Sequence, residues 1–72
     1  MEYKVDGIEL RKAMVGKGYN SVSQLAYNCE VSRNTLSGIV NGRIRPSSKT
    51  IEIIADVLEL SSDDIGRIFF SH

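Results

Sequence analysis

The chain has one cysteine, Cys29, one histidine, His72, one proline, Pro46, and no tryptophan. One cysteine cannot close an internal disulfide, and a lone cysteine with a lone terminal histidine makes neither a metal-ligand cluster nor a nucleophile–base pair. No metal, cofactor or enzymatic activity is therefore expected. Cys29 reads as a small buried hydrophobe on the inner face of its helix. No apolar run approaches the roughly 18 residues of a membrane span, and the opening Met-Glu-Tyr-Lys-Val-Asp lacks the apolar core of a signal peptide, so a cytoplasmic location is expected. Charge of one sign is missing too. Nine basic and nine acidic residues cancel, which counts against nucleic-acid binding if only totals are considered.

What is present fits one small domain spanning residues 1–72, with no room for a second catalytic or sensor unit. An apolar content of 42% and a charged content of 25% are ordinary for a globular chain, which argues against disorder. The charges are unevenly placed. Between residues 33 and 50, Arg33, Arg43, Arg45 and Lys49 occur with no acid, whereas from residue 51 on Arg67 stands against Glu52, Asp56, Glu59, Asp63 and Asp64. One basic block is thus followed by an acidic quarter.

Hydrophobic spacing predicts five short helices and no strand. The first, about 7–17, follows Asp6, with Glu9 placed for a capping box, Val5 and Leu10 for a hydrophobic staple, and Gly16 and Gly18 to end it. It is expected to bury Leu10, Ala13 and Met14 and to turn Arg11 and Lys12 outward. Ser21 with Gln24 repeats the capping pattern before a second helix, about 22–29, and Tyr19 is expected beneath its start. Ser32 caps a third, about 33–40, which Asn41-Gly42 stops. In Arg43-Ile44-Arg45-Pro46 the proline forces Arg45 out of helical geometry, giving a loop that presents two arginines. Ser47 caps a fourth helix, about 48–59, with Ile51, Ile54, Ala55 and Leu58 as its core stripe. Ser61 caps the last, about 62–69, with Asp63 and Asp64 at its positive end.

The second and third helices are separated by only about three residues, so they must cross closely, and small Ala26 suits the crossing. Opposite the apolar seam Leu36–Ile39–Val40, the third helix carries Asn34, Ser37, Gly38 and Asn41 at i, i+3, i+4, i+7 spacing, with Arg33 alongside. This stripe is rich in hydrogen-bonding groups and free of bulk, as a DNA groove requires.

Leu25-Ala26, Val31-Ser32-Arg33-Asn34-Thr35-Leu36-Ser37, Asn41-Gly42, Pro46-Ser47, Thr50-Ile51 and Ile54-Ala55 stand in the relative spacing of a known family. Over nearly its whole length the sequence resembles the Cro/CI-type (XRE-like) helix-turn-helix regulators of phages and bacteria, and its length is similar to that of the short Cro-like repressors and antirepressors. The resemblance implies an all-α, five-helix, lambda-repressor-like domain whose helix-turn-helix spans 22–41. Departures are also visible. Val22 stands where the family commonly has a phosphate-contacting glutamine, Glu30 where the turn commonly has glycine, and Met14 and Val40 where many members bury an arginine–glutamate pair. Changing both members of such a pair strands no charge.

The functional expectation is a repressor-like transcription regulator with the third helix in the major groove. Ser32, Arg33, Asn34, Ser37 and Gly38 are the base-contacting candidates, Arg33 suited to guanine, Asn34 to adenine, and Gly38 to close approach. Ser21, Gln24, the Asn41 backbone, Arg43, Arg45 and Lys49 are the phosphate candidates. Because one unit reads a half-site, a homodimer on double-stranded DNA is expected, with the association surface drawn from Ile65, Ile68, Phe69 and Phe70, more apolar surface than one short helix buries, and Phe70 the part expected to stay exposed. The alternative is an antirepressor that grips a partner repressor protein and blocks its DNA site.

Overall fold

Each helix starts at a side-chain cap. The computed structural model describes residues 3–71. Its five helices are α1 Gly7–Gly16, α2 Val22–Cys29, α3 Arg33–Val40, α4 Ser48–Val57 and α5 Ser62–Phe69. His72 lies outside the described residues. Asp6 Oδ1 accepts from the Ile8 and Glu9 amides at 3.1 Å each. Ser21, Ser32, Ser47 and Ser61 each accept from the amide three residues on, at 3.0–3.2 Å. Losing one such cap costs about 1 kcal/mol.

Among the described residues only the cap at Ser61 is reciprocal, with Asp64 Oδ2 accepting from the Ser61 amide at 3.1 Å. The box expected at Asp6 and Glu9 is half-formed. Glu9 instead bonds Arg67 Nε at 2.8 Å and Lys12 Nζ at 3.3 Å, while the Asp6 amide donates to the Ile68 carbonyl. A carboxylate between two cations gains more than one shared with a single amide. At α2 the box is shifted by one residue, because Gln24 Oε1 accepts from the Asn20 amide at 2.8 Å.

Four helices end in the same pair of main-chain bonds, a 6→1 bond enclosing a 5→2 bond around a left-handed residue. After α3, for example, the Arg43 amide donates to the Gly38 carbonyl and the Gly42 amide to the Ile39 carbonyl. Glycine fills the left-handed position after α1 and α3, with Gly18 at φ 84° and Gly42 at φ 79°. Glutamate fills it after α2 and α4, with Glu30 at φ 57° and Glu59 at φ 54°. The turn between α2 and α3 therefore takes a left-handed residue without glycine, at some strain. For the same reason α4 stops at Val57, two residues short of the expectation. A single antiparallel rung, Lys4 with Ser71, is the strand-like element that spacing did not predict among the described residues.

Leu10, Leu25, Leu36, Ile39, Ile54, Leu58 and Ile68 are fully buried, one or more from every helix. No polar or charged residue is buried among the described residues. Ala26 of α2, Met14 and Val40 all lie in the apolar core. At the other end of α3 the approach is closer still. A Cβ on Gly7 would overlap the Val40 carbonyl oxygen, so the first turn of α1 rests directly on the backbone at the end of α3.

Candidate nucleic-acid interface

The interface is built on the outward side of α3 and the loop that follows. Ser32, Arg33 and Asn34 are exposed at its first turn, and Ser37 is half-buried one turn later. Asn34 has no hydrogen bond among the described residues, so its whole amide is available. Arg33 is oriented by α2. Its Nε donates to Ser23 Oγ at 2.8 Å, which leaves both terminal guanidinium nitrogens for a ligand. Ser32 is more committed than its type suggests, because its hydroxyl caps the Thr35 amide and donates to Thr35 Oγ1 at 2.7 Å. An acceptor lone pair is what it still offers.

Gly38 departs from the polar stripe. It is buried, and a Cβ there would overlap Ile44 Cδ1 and lie 2.6 Å from Ile44 Cγ1. The Arg43 and Ile44 amides both donate to the Gly38 carbonyl, at 2.8 and 3.0 Å. Gly38 is thus the seat on which the following loop folds back, and not a bare position facing DNA. Spacing could not reveal this, because the residue that covers it comes from the loop.

Asn41 also differs from the expectation. Its backbone amide is spent on the Ser37 carbonyl, while its side chain accepts from Arg11 Nη2 at 3.0 Å and approaches Ser37 Oγ at 3.4 Å. The backbone contact assigned to it has no free donor. That bond holds Arg11 beside the end of α3, and the contacts of Ser23 and Arg11 with α3 are the two that sequence reading missed. Both act across helix crossings separated by ten and thirty residues, where no local pattern signals a partner.

Among the phosphate candidates, Ser21 and Gln24 are exposed at the start of α2, and the Gln24 side-chain NH2 group is unbonded among the described residues. Arg43 and Lys49 are exposed, and their side chains have no hydrogen bond or ion pair among the described residues. Arg45 is turned aside, its Nη2 donating to the Tyr3 carbonyl at 2.6 Å. The ion pairs among the described residues lie elsewhere, on α1 and α5 and between the turns that follow α1 and α4. The Arg67 guanidinium, with help from Lys12, holds the Glu9 carboxyl below its ordinary range; the Ser61 backbone and then Arg67 do the same for Asp64. None of these acids intrudes on the block from Arg33 to Lys49. Burial pushes the Cys29 thiol up, as suits a packing residue. No group of His, Cys, Asp and Glu among the described residues is placed to hold a metal ion, and no helix there is long and apolar enough to cross a membrane.

The C-terminal apolar cluster is mostly internal. Ile68 is 0% and Phe69 3% exposed, and Ile65 is half-buried against the core, so these three close the fold instead of offering an association surface. A domain this small needs them inside. Phe70, 44% exposed, remains outside and meets Tyr3 edge-on with ring centroids 5.3 Å apart.

A family model described as Helix-turn-helix matches residues 10–65, which include α2, α3, the arginine loop and α4. No curated protein and no solved structure matches the chain. The matched span and the two crossed helices with their short left-handed turn agree: the chain belongs to the XRE/Cro-like helix-turn-helix family of DNA-binding transcription regulators.

Proposed function

We propose that this regulator reads a specific duplex sequence by laying the first turn of α3 in the major groove, in the manner of a phage or bacterial repressor. The observation that carries the reading is the coincidence of an exposed polar first turn, Arg33 and Asn34, with an acid-free basic run that continues to Lys49. Arg33 and Asn34 supply bidentate contacts to base edges, and Ser37 and the Ser32 lone pair supply shorter ones. Ser21, Gln24, Arg43, Arg45, Lys49 and Arg11 fix the register on phosphates. Arg45 is recruited by exchanging its bond to the Tyr3 carbonyl for a phosphate oxygen, a stronger, charge-assisted partner. Two copies acting together, with recognition helices about 34 Å apart, read a palindrome. The exposed Tyr3–Phe70 edge supports that association.

Selection of bound duplexes from a random pool, followed by methylation interference at guanine N7 in the major groove and adenine N3 in the minor groove, tests the reading. A short consensus with interference in the major groove is expected. Recovery of no consensus, or interference confined to the minor groove, would contradict it. An antirepressor role is favoured by the same Tyr3–Phe70 edge turned toward a different chain. It predicts a monomer that binds no duplex at either low or moderate salt.

A further inference from the structure

An open groove of about 540 Å³ runs between the N-terminal segment and the loop joining α3 to α4. Its floor is apolar: Pro46 and Phe69 are buried there, and Ile44 and Phe70 stand partly exposed on the rim. Its charge is of one sign. Lys4, Arg43 and Arg45 line it and no acid does, and neither Lys4 nor Arg43 has an ion pair among the described residues.

One wall is an unfinished strand. Lys4 exchanges both main-chain bonds with Ser71, at 2.7 and 3.2 Å, and the Asp6 amide donates to the Ile68 carbonyl at 2.7 Å. Extended backbone alternates, so the main-chain groups of Tyr3 and Val5 point the other way, into the groove. There the Tyr3 carbonyl meets Arg45, while the Val5 amide and carbonyl have no partner among the described residues. A half-buried residue with an unpaired donor and acceptor on one edge is a template for another strand.

We infer that the groove binds an extended acidic segment of a partner protein, which pairs with the Val5 main chain, seats an apolar side chain between Ile44 and Phe70, and sets carboxylates on Arg43 and Lys4. Among the described residues the acids clustered in the C-terminal quarter, Glu52, Asp56, Asp63 and Asp64, are held in α4 or α5, so a second copy does not present them as an extended segment. In two respects the inference meets the proposed function: Arg43 and Arg45 are also phosphate contacts, so peptide and DNA compete for them, and Phe70 belongs to the edge assigned to association, so peptide and second copy compete for it.

The test is a nuclear magnetic resonance titration of the full chain with an acetylated, amidated hexapeptide alternating valine and glutamate. Saturable shifts of the Val5, Ile44 and Phe70 amides are expected, with slowed exchange at Val5. Binding should weaken about tenfold when the central peptide nitrogens are methylated, and similarly for Arg43→Gln, an exposed position whose change leaves the fold intact. Equal binding by a serine–glutamate peptide would reduce the site to bare charge and overturn the inference. So would equal binding by the methylated peptide, or a Val5 amide already protected in a free protein that sediments as a dimer. Displacement of the peptide by duplex supports competition, and simultaneous binding of both refutes it. Because the titration itself contains no DNA, a chain that binds no duplex would sink the proposed function while the peptide result is judged on its own.

Discussion

Replacing Gly7 by alanine should destabilise the domain, against the usual rule for glycine in a helix. By propensity alone, alanine is favoured over glycine in a helix by up to about 1 kcal/mol. The structure reverses the sign at Gly7, because the added Cβ would overlap the Val40 carbonyl oxygen, a backbone atom that cannot rotate away. Overpacking of this kind typically costs about 1–3 kcal/mol. Relieving it requires α1 to lift from the end of α3, which also stretches the Arg11–Asn41 bond of 3.0 Å. Gly66 is the matched control. It lies inside α5, and a Cβ there meets nothing within 4 Å, so Gly66→Ala should stabilise by roughly 0.5–1 kcal/mol. For a domain of this size about 1 kcal/mol shifts Tm by roughly 4–8 °C, so thermal melts followed by circular dichroism should separate the two variants in opposite directions. Equal or higher Tm for Gly7→Ala would refute the close approach of α1 to α3.

The remaining expectations concern the turn, the ion pairs and the interface. Glu30→Gly should raise stability by up to about 1 kcal/mol in denaturant unfolding, since relief of left-handed strain, about 1–2 kcal/mol, exceeds the entropy that glycine adds to the unfolded chain. Glu9 and Asp64 have depressed folded-state pKa values, so their contribution is complete above the ordinary carboxylate range and is lost as pH falls through and below it. Acid titrations of stability should therefore flatten in Arg67→Gln, and an unchanged profile would show that the network does not couple to folding. Asn34→Ala should cost roughly 1–3 kcal/mol on the preferred duplex and little on a random one, as read by fluorescence anisotropy. Arg43→Ala should instead weaken both evenly.

The five helices could be placed from the sequence because caps and spacing agree at each start. Asp6, Ser21, Ser32, Ser47 and Ser61 all bond the amides they were expected to bond. What escaped depends on contacts between distant segments. Glu9 left its capping role for Arg67, 58 residues away, and Gly38 was hidden by Ile44 once the loop folded back. Phe69 falls on the apolar face of the last helix and Phe70 just past it, so their different exposure was legible, but the partner that Phe70 meets edge-on, Tyr3, comes from the other end of the chain. The polar stripe of α3 was legible because it needs only helical periodicity. The atoms that orient it, Ser23 and Arg11, were not, because they belong to other helices.

The salt dependence of binding to the selected duplex tests the central claim most directly. Four cations are assigned to phosphates, Arg11 at the end of α3, Arg43 and Arg45 in the loop that follows and Lys49 at the start of α4, and each phosphate they neutralise contributes about −0.9 to the slope of log K against log salt. A slope near −3 to −4 per bound subunit is expected, together with a preference for the selected over a scrambled duplex that persists as salt rises. A slope near zero, or a preference that vanishes at moderate salt, would contradict the account.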